Sequence, residues 1–123
     1  MFWADDIVDQ IEERFAKEIK AGTPLVLRDE KTLSGRVHVG SLRGIVLHGM
    51  LSQILTGRKI ANTNMFELND MDPMDGLPIN VDQKKFAPHM GKPLFSVPPV
   101  HDGEENFTTG FGTELQAAVE PMK

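Results

Sequence analysis

The stretch TLSGRVHVGSLRG, residues 32–44, collects side chains whose chemistry suits phosphate binding. His38 offers a ring N–H donor, Ser41 offers a hydroxyl, and Arg36 brings positive charge. Gly40 has no side chain, so a ligand can approach its backbone closely. The spacing is neither that of a Walker A loop nor that of GxGxxG. These residues therefore predict a phosphate-binding loop of another kind.

The loop lies between a predicted strand and a predicted helix. The apolar run from Pro24 to Arg28, bounded by turn residues and by charge, predicts a short buried strand. Apolar residues from Leu42 to Leu55 predict a helix with a broad apolar face, ending at Gly57. The free N–H groups at the start of such a helix favour anions, which supports the phosphate hypothesis. The alternative is that the glycines serve only the turn and that His38 is a cap or a surface residue.

Two further elements complete the predicted fold. Apolar residues that recur every four positions predict a first helix, capped near Asp5 and Asp6 and ending at Gly22. Residues 59–69 predict a second strand. A strand, a crossover helix and a strand form a βαβ unit, which is right-handed and has a parallel sheet. The predicted fold class is therefore α/β, with an N-terminal helix followed by a βαβ unit.

The character of the chain changes beyond Met71, where prolines interrupt every periodic run. We interpret this region as loop and insertion, with a short helix near Leu115. The predicted division is a main domain over residues 1–100 and a Pro- and Gly-rich insertion or tail over residues 101–123. Because two parallel strands leave faces and edges uncovered, we expect the chain to be part of a larger domain.

Composition narrows the classes of function. The 123 residues are 40% hydrophobic, enough for one small domain with a modest core. With 13 Lys and Arg against 18 Asp and Glu, the formal charge is -5, so the basic footprint of a nucleic-acid-binding domain is missing. Cysteine is absent, which excludes disulfides and thiolate metal sites. Without a signal-peptide pattern or an apolar run near the ~20 residues of a membrane span, we predict a cytoplasmic protein that makes no membrane contact.

Specific segments carry a family resemblance. SGRVHVGS resembles the HIGH signature of class I aminoacyl-tRNA synthetases. The longer match, from FWADDIVDQIEERF through TLSGRVHVGSLRG to FELNDMDPMDGLP, is similar to the N-terminal part of the class I lysyl-tRNA synthetases and covers residues 1–100. This resemblance implies the first half of a Rossmann-like catalytic domain. It also implies a reaction in which ATP, with Mg²⁺, and lysine give lysyl-adenylate, and the lysyl group then passes to tRNA(Lys).

The resemblance assigns roles within the loop. His38 and Gly40 occupy the first and third places of HIGH, and Ser41 occupies the fourth in place of histidine. It implies that Gly35, His38, Gly40 and Ser41 contact ATP, and that His38 and Ser41 are catalytic. A serine hydroxyl donates a hydrogen bond to a phosphate oxygen but carries no positive charge.

The resemblance also implies four candidate contacts for lysine, because it places the family's amino-acid pocket at the end of the first strand and part of the active cleft after the second. Glu30 and Thr32 follow the first predicted strand, and Asp70 and Asp72 follow the second. Carboxylates suit the ε-ammonium group of lysine. The alternatives are a solvated charge run at the first position and turn formers around Pro73 at the second. No metal site is predicted, because a calcium-loop register that begins at Asp70 fails at its fifth, sixth and twelfth positions.

Other parts of a class I synthetase are not recognised in the sequence. These are the second βαβ half, a KMSKS-like loop and an anticodon-binding region. We therefore expect an N-terminal fragment that binds tRNA weakly or not at all. Two alternatives remain: another class I nucleotidyl-transfer enzyme, such as a glutamyl-type synthetase or an adenylyltransferase, or a non-catalytic Rossmann-like binding or interaction domain that keeps the loop as a structural turn.

Overall fold

The structure, a computed structural model, describes residues 2–120, which form two compact units. The first unit comprises residues 2–29 and 43–67, and the second comprises residues 30–42 and 68–120. Both units draw on two separate stretches of the chain. The sequence-based division at residue 100 stays a prediction, and these two units divide the chain differently.

The elements follow the predicted order of helix, strand, helix and strand. They are α1 (Trp3–Arg14), α2 (Ala16–Lys20), β1 (Leu25–Thr32), α3 (Val39–Gly57), β2 (Asn62–Asn69), α4 (Gln83–Phe86), the 3₁₀ turns Ala87–His89 and Leu94–Ser96, and α5 (Phe107–Val119). In the described part of the chain β1 and β2 are hydrogen-bonded neighbours in a parallel two-stranded sheet, joined through α3. The predicted α/β class and its βαβ unit are confirmed.

The first helix differs from its prediction in two ways. It begins at Trp3 without a side-chain cap, so Asp5 and Asp6 lie inside the first turn, where their charge favours the helix dipole. It is also interrupted at Phe15, whose backbone leaves helical geometry at φ -108° and ψ 25°, and it resumes as α2. Gly22 adopts a left-handed φ of 75° and follows the end of α2, as predicted.

The first strand is longer than predicted. β1 runs to Thr32, so Glu30 and Thr32 lie within the strand and not after it, which corrects the sequence-based placement. The physical reason is the partner strand: β1 and β2 each contain eight residues, so the ladder continues through the charged residues. Strand pairing therefore overrides the unfavourable β propensity of these charged side chains.

The core of the first unit is small and aliphatic. Its buried members are Val8 on α1, Leu27 on β1, Leu55 on α3, and Ile60 between α3 and β2. Partly buried apolar side chains pack against them: Ile11, Ile19, Leu25, Leu51 and Ile54. This core attaches α1 and α3 to β1.

Three aromatic rings build the centre of the second unit. The centroids of Phe86 and Phe107 are 5.3 Å apart, and those of Phe107 and Phe111 are 5.1 Å apart, both edge to face. Other buried apolar side chains of this unit are Leu33, Met74, Val81, Leu94, Val97 and Leu115. α5 is therefore part of the core, and the short helix predicted near Leu115 is confirmed but begins at Phe107.

The region beyond Met71 is more ordered than the predicted loop. Met74 N–H donates to Lys92 O at 2.8 Å, Gly91 N–H donates to Met74 O at 2.8 Å, and Leu94 N–H donates to Asp72 O at 2.9 Å. These bonds, with the antiparallel bridge between residues 73 and 93, close the chain on itself. Backbone pairing was not visible in the sequence because prolines conceal strand periodicity. No helix within residues 2–120 is long and apolar enough to cross a membrane.

Candidate active site

The predicted phosphate loop opens onto a cavity of about 300 Å³ in the second unit. Three of the predicted ATP contacts line it: Gly35, His38 and Ser41. Residues 76–78 line it as well, and a Cβ at Gly35 would lie 3.2 Å from Pro78 Cγ. A side chain at position 35 would therefore press against that wall of the cavity.

His38 and Gly40 form a close pair. A Cβ at Gly40 would lie 2.8 Å from His38 Cε1 and 2.9 Å from His38 Nδ1. The imidazole therefore packs over the bare Cα of Gly40, a contact that any other residue would disturb. His38 itself is exposed at the end of the loop, so its ring is accessible to a ligand.

Ser41 closes the first turn of α3. Its N–H donates to His38 O at 2.8 Å, and its Oγ accepts from His38 N–H at 3.4 Å. With His38 preceding the helix, Ser41 takes the position and the role of the glutamate in a capping box. The residue is only 5% exposed. The hydroxyl therefore has an architectural function, and its proton is still able to donate.

Two cationic side chains line the cavity, Lys31 from the end of β1 and Arg36 from the loop. The Nε of Arg36 lies 3.6 Å from Oε2 of Glu114, on α5. Sequence reasoning assigned no site role to Lys31 or Glu114. The signal for Lys31 was its position at the carboxyl end of a strand, where ligands bind in open α/β sheets. Nothing in the local sequence connects Glu114 with the loop.

The four candidate lysine contacts have different surroundings. The hydroxyl of Thr32 donates to the carboxylate of Asp72, so these two are brought together. Among the described residues, only Thr32 of the four lines the cavity. Glu30 is exposed on β1. Asp70 is held through its backbone, since its carbonyl accepts from Phe95 N–H at 2.9 Å.

Comparison with known proteins gives the family. Residues 1–123 match the family model described as tRNA synthetases class I (K). The chain belongs to this family. A search of curated proteins found no match. Enzymes of this family are aminoacyl-tRNA ligases, and they use ATP with Mg²⁺.

The cavity of this class I tRNA synthetase suits the phosphates of a nucleotide. Lys31 and Arg36 provide positive charge, and Ser41, in the first turn of α3, lines the same cavity. Within residues 2–120, no group of three or more His, Cys, Asp or Glu side chains is arranged to bind a metal ion.

Proposed function

We propose that this class I tRNA synthetase chain carries ATP- and lysine-binding residues of a lysine-tRNA ligase that acts in the cytoplasm. The observation that carries the proposal is the packing of His38 on Gly40, at the start of α3 and beside a cavity with two cations. The match of residues 1–123 to a family marked K supports lysine as the amino acid.

The first step of the proposed reaction needs no nucleophile from the protein. The carboxylate of lysine attacks the α-phosphorus of ATP, and pyrophosphate leaves. The residues therefore act by positioning the reactants and by neutralising the charge that develops on the leaving group. His38 donates to a phosphate oxygen, and Lys31 and Arg36 supply the charge that Ser41 lacks.

Backbone geometry contributes to the same task. The cavity lies at the start of α3, where the helix dipole favours an anion, and Gly40 gives the His38 ring room to pack beside it. Gly35 keeps the cavity open against Pro78. Mg²⁺ would enter with ATP, coordinated mainly through the nucleotide's phosphates, as is usual for this ion, and would help to neutralise their charge.

The amino acid is proposed to bind near the hydrogen bond between Thr32 and Asp72. A carboxylate oriented by a hydroxyl is a suitable partner for the ε-ammonium of lysine. None of the three acidic candidates lines the cavity itself. Asp72 is preferred over Glu30 and Asp70 because its carboxylate accepts from Thr32, which does line the cavity.

The test is a thermal-shift titration of the purified chain with non-hydrolysable analogues of lysyl-adenylate and glutamyl-adenylate. A ligand that binds only the folded state raises the unfolding midpoint. We expect the lysyl analogue to raise it, the glutamyl analogue to raise it much less, and His38→Ala to remove the effect.

The other outcomes identify the alternatives. A larger shift with the glutamyl analogue indicates a glutamyl-type enzyme. Cooperative unfolding without a shift by either analogue contradicts the proposal and favours a non-catalytic domain. His101→Ala is the matched control, because His101 is exposed and does not line the cavity.

A further inference from the structure

Arg36, a cation of the candidate nucleotide cavity, is already paired with an acid. Its Nε lies 3.6 Å from Oε2 of Glu114, and the side chains are 68% and 34% exposed. Exposed pairs of this kind are weak, because water and salt screen them. The guanidinium can therefore leave Glu114 for a stronger partner.

Glu114 has a fixed location. Its neighbour Leu115 and the preceding-turn residue Phe111 are both buried in the core of the second unit. α5 is further held at its start by the capping box of Asn106 and Thr109. The carboxylate is thus carried by a rigid helix, while Arg36 lies on a loop and has the freedom to move.

We propose that Glu114 is the counter-ion that Arg36 exchanges for a nucleotide phosphate. A phosphate group carries more charge than a carboxylate and accepts two parallel hydrogen bonds from a guanidinium. Glu114 is a positioning residue in this exchange: it holds Arg36 at the cavity before the ligand arrives and competes with the ligand for it. The proposal rests on the proposed function, since it assumes that the cavity receives phosphates.

The competition has a definite sign. Replacing Glu114 with glutamine keeps the size of the side chain but removes the negative charge that opposes an incoming polyphosphate. Affinity for phosphate-bearing ligands therefore rises. Affinity for adenosine, which has no phosphate, stays the same. A purely structural role of Glu114 would change both ligands together or neither.

The experiment is calorimetric titration of inorganic pyrophosphate, ATP and adenosine into the wild type, Glu114→Gln, Arg36→Gln and the double variant. We expect Glu114→Gln to bind pyrophosphate and ATP about two- to fivefold more tightly, a change matching the usual strength of an exposed pair. Arg36→Gln weakens both ligands, and in that background Glu114→Gln has no further effect. Glu105→Gln is the matched control for a lost charge, since Glu105 is exposed just before α5.

Three results overturn the exchange: unchanged or weaker pyrophosphate binding by Glu114→Gln, the same gain in the Arg36→Gln background, or the same gain from Glu105→Gln. The proposed function fails separately. If the pyrophosphate pattern is found but the lysyl-adenylate analogue does not bind, the exchange stands and the lysine-tRNA ligase assignment falls. If the analogue binds and the pyrophosphate pattern is missing, only the exchange falls.

Discussion

At the scale of single residues, the contact of His38 with Gly40 is the most demanding feature of the loop. A methyl group at position 40 would meet the imidazole at 2.8 Å, below the separation that real Cβ atoms tolerate. The ring must then turn away. Its donor would leave the direction that the proposed phosphate contact requires.

We therefore predict that Gly40→Ala weakens ATP binding about tenfold, since small misplacements of a binding group are costly. Gly49→Ala is the matched control on the same helix, because a Cβ there meets nothing within 4 Å. It is expected to leave ATP binding unchanged and to stabilise the chain by about 1 kcal/mol through helix propensity. Calorimetry and thermal unfolding measure the two quantities. Equal ATP affinity in both variants would show that the imidazole does not contact the nucleotide.

A second residue-scale prediction concerns the hydrogen bond from Thr32 to Asp72. Thr32→Val keeps the shape of the side chain but removes the donor to a carboxylate, a loss of about 1–3 kcal/mol. Thr32→Ser keeps the hydroxyl and is expected to retain most of the stability. Denaturant unfolding of the two variants measures their stabilities. Equal unfolding free energies would mean that the hydrogen bond contributes nothing to stability.

Whether two site residues could be predicted to lie together depends on how far apart they are in the sequence. His38, Gly40 and Ser41 are near neighbours, so a motif was enough to bring them together. Thr32 and Asp72 were each chosen as strand-end residues, but their pairing depends on the fold. Arg36 and Glu114 are far apart in the chain, and no local pattern joins them. The catalytic and binding roles themselves stay predictions.

At the scale of elements, α5 is the clearest addition to the sequence-based description. Composition indicated a tail with a short helix, because two glycines and few charges give a weak helical pattern. The helix forms because Phe107, Phe111 and Leu115 share one buried face. Its start is fixed by Asn106, whose Oδ1 accepts from the N–H groups of Thr108 at 3.0 Å and Thr109 at 3.1 Å.

Loss of this cap should loosen the whole second unit. Asn106→Ala is predicted to cost about 1 kcal/mol of unfolding free energy, the usual value for an N-cap. Asn106→Asp keeps an acceptor at the same place and is the matched control. Denaturant unfolding followed by far-ultraviolet circular dichroism measures the difference in unfolding free energy between the two variants. An alanine variant as stable as the aspartate variant would contradict the role of the cap.

α1 carries an acidic stripe that meets one cation. Asp5, Asp9 and Glu12 lie on one face of the helix, and Arg58, just after α3, contacts all three. Its Nη1 lies 2.5 Å from Asp9 Oδ1 and 2.7 Å from Glu12 Oε1. Hydrogen bonds to Asp9, and then to Glu12, raise the pKa of Arg58 above its usual value.

Arg58→Gln is therefore predicted to lower the unfolding midpoint, because three like charges lose their shared partner. A raised pKa in the folded state stabilises the protein at every pH below the usual arginine value, so the loss should be the same at about pH 7 and about pH 9. It should shrink at about 0.5 M salt through screening. Lys20→Gln, which alters an exposed charge on α2, is the control. A deficit that does not change with salt would point to lost packing and not to charge.

At the scale of the whole molecule, charge and topology were predictable for different reasons. Net charge is a sum over the sequence, and the α/β order follows from periodicity that prolines do not interrupt before residue 71. The division into two units was not predictable, because residues 30–42 pack with a stretch that begins at residue 68. Long-range packing of this kind leaves no trace in local pattern.

The charge of -5 leads to a prediction for tRNA. Phosphate contacts by Lys and Arg dominate affinity for nucleic acids, and this chain has an excess of acids. Alone it is expected to bind tRNA(Lys) with a dissociation constant weaker than about 100 µM at physiological salt, outside the usual range even for non-specific binders. A mobility-shift titration, with a basic RNA-binding protein to validate the assay, measures this. A tight complex specific for tRNA(Lys) would contradict it.

The buried hydroxyl of Ser41 also limits how this protein can be re-engineered. The substitution Ser41→His would complete the HIGH signature, but it would place a bulky imidazole at a residue that is only 5% exposed, which causes overpacking. It would also remove the acceptor of the His38 N–H, the bond that closes the helix start. A HIGH-type tetrapeptide should therefore be transferred between related enzymes together with the turn that holds it, and not by a single substitution at position 41.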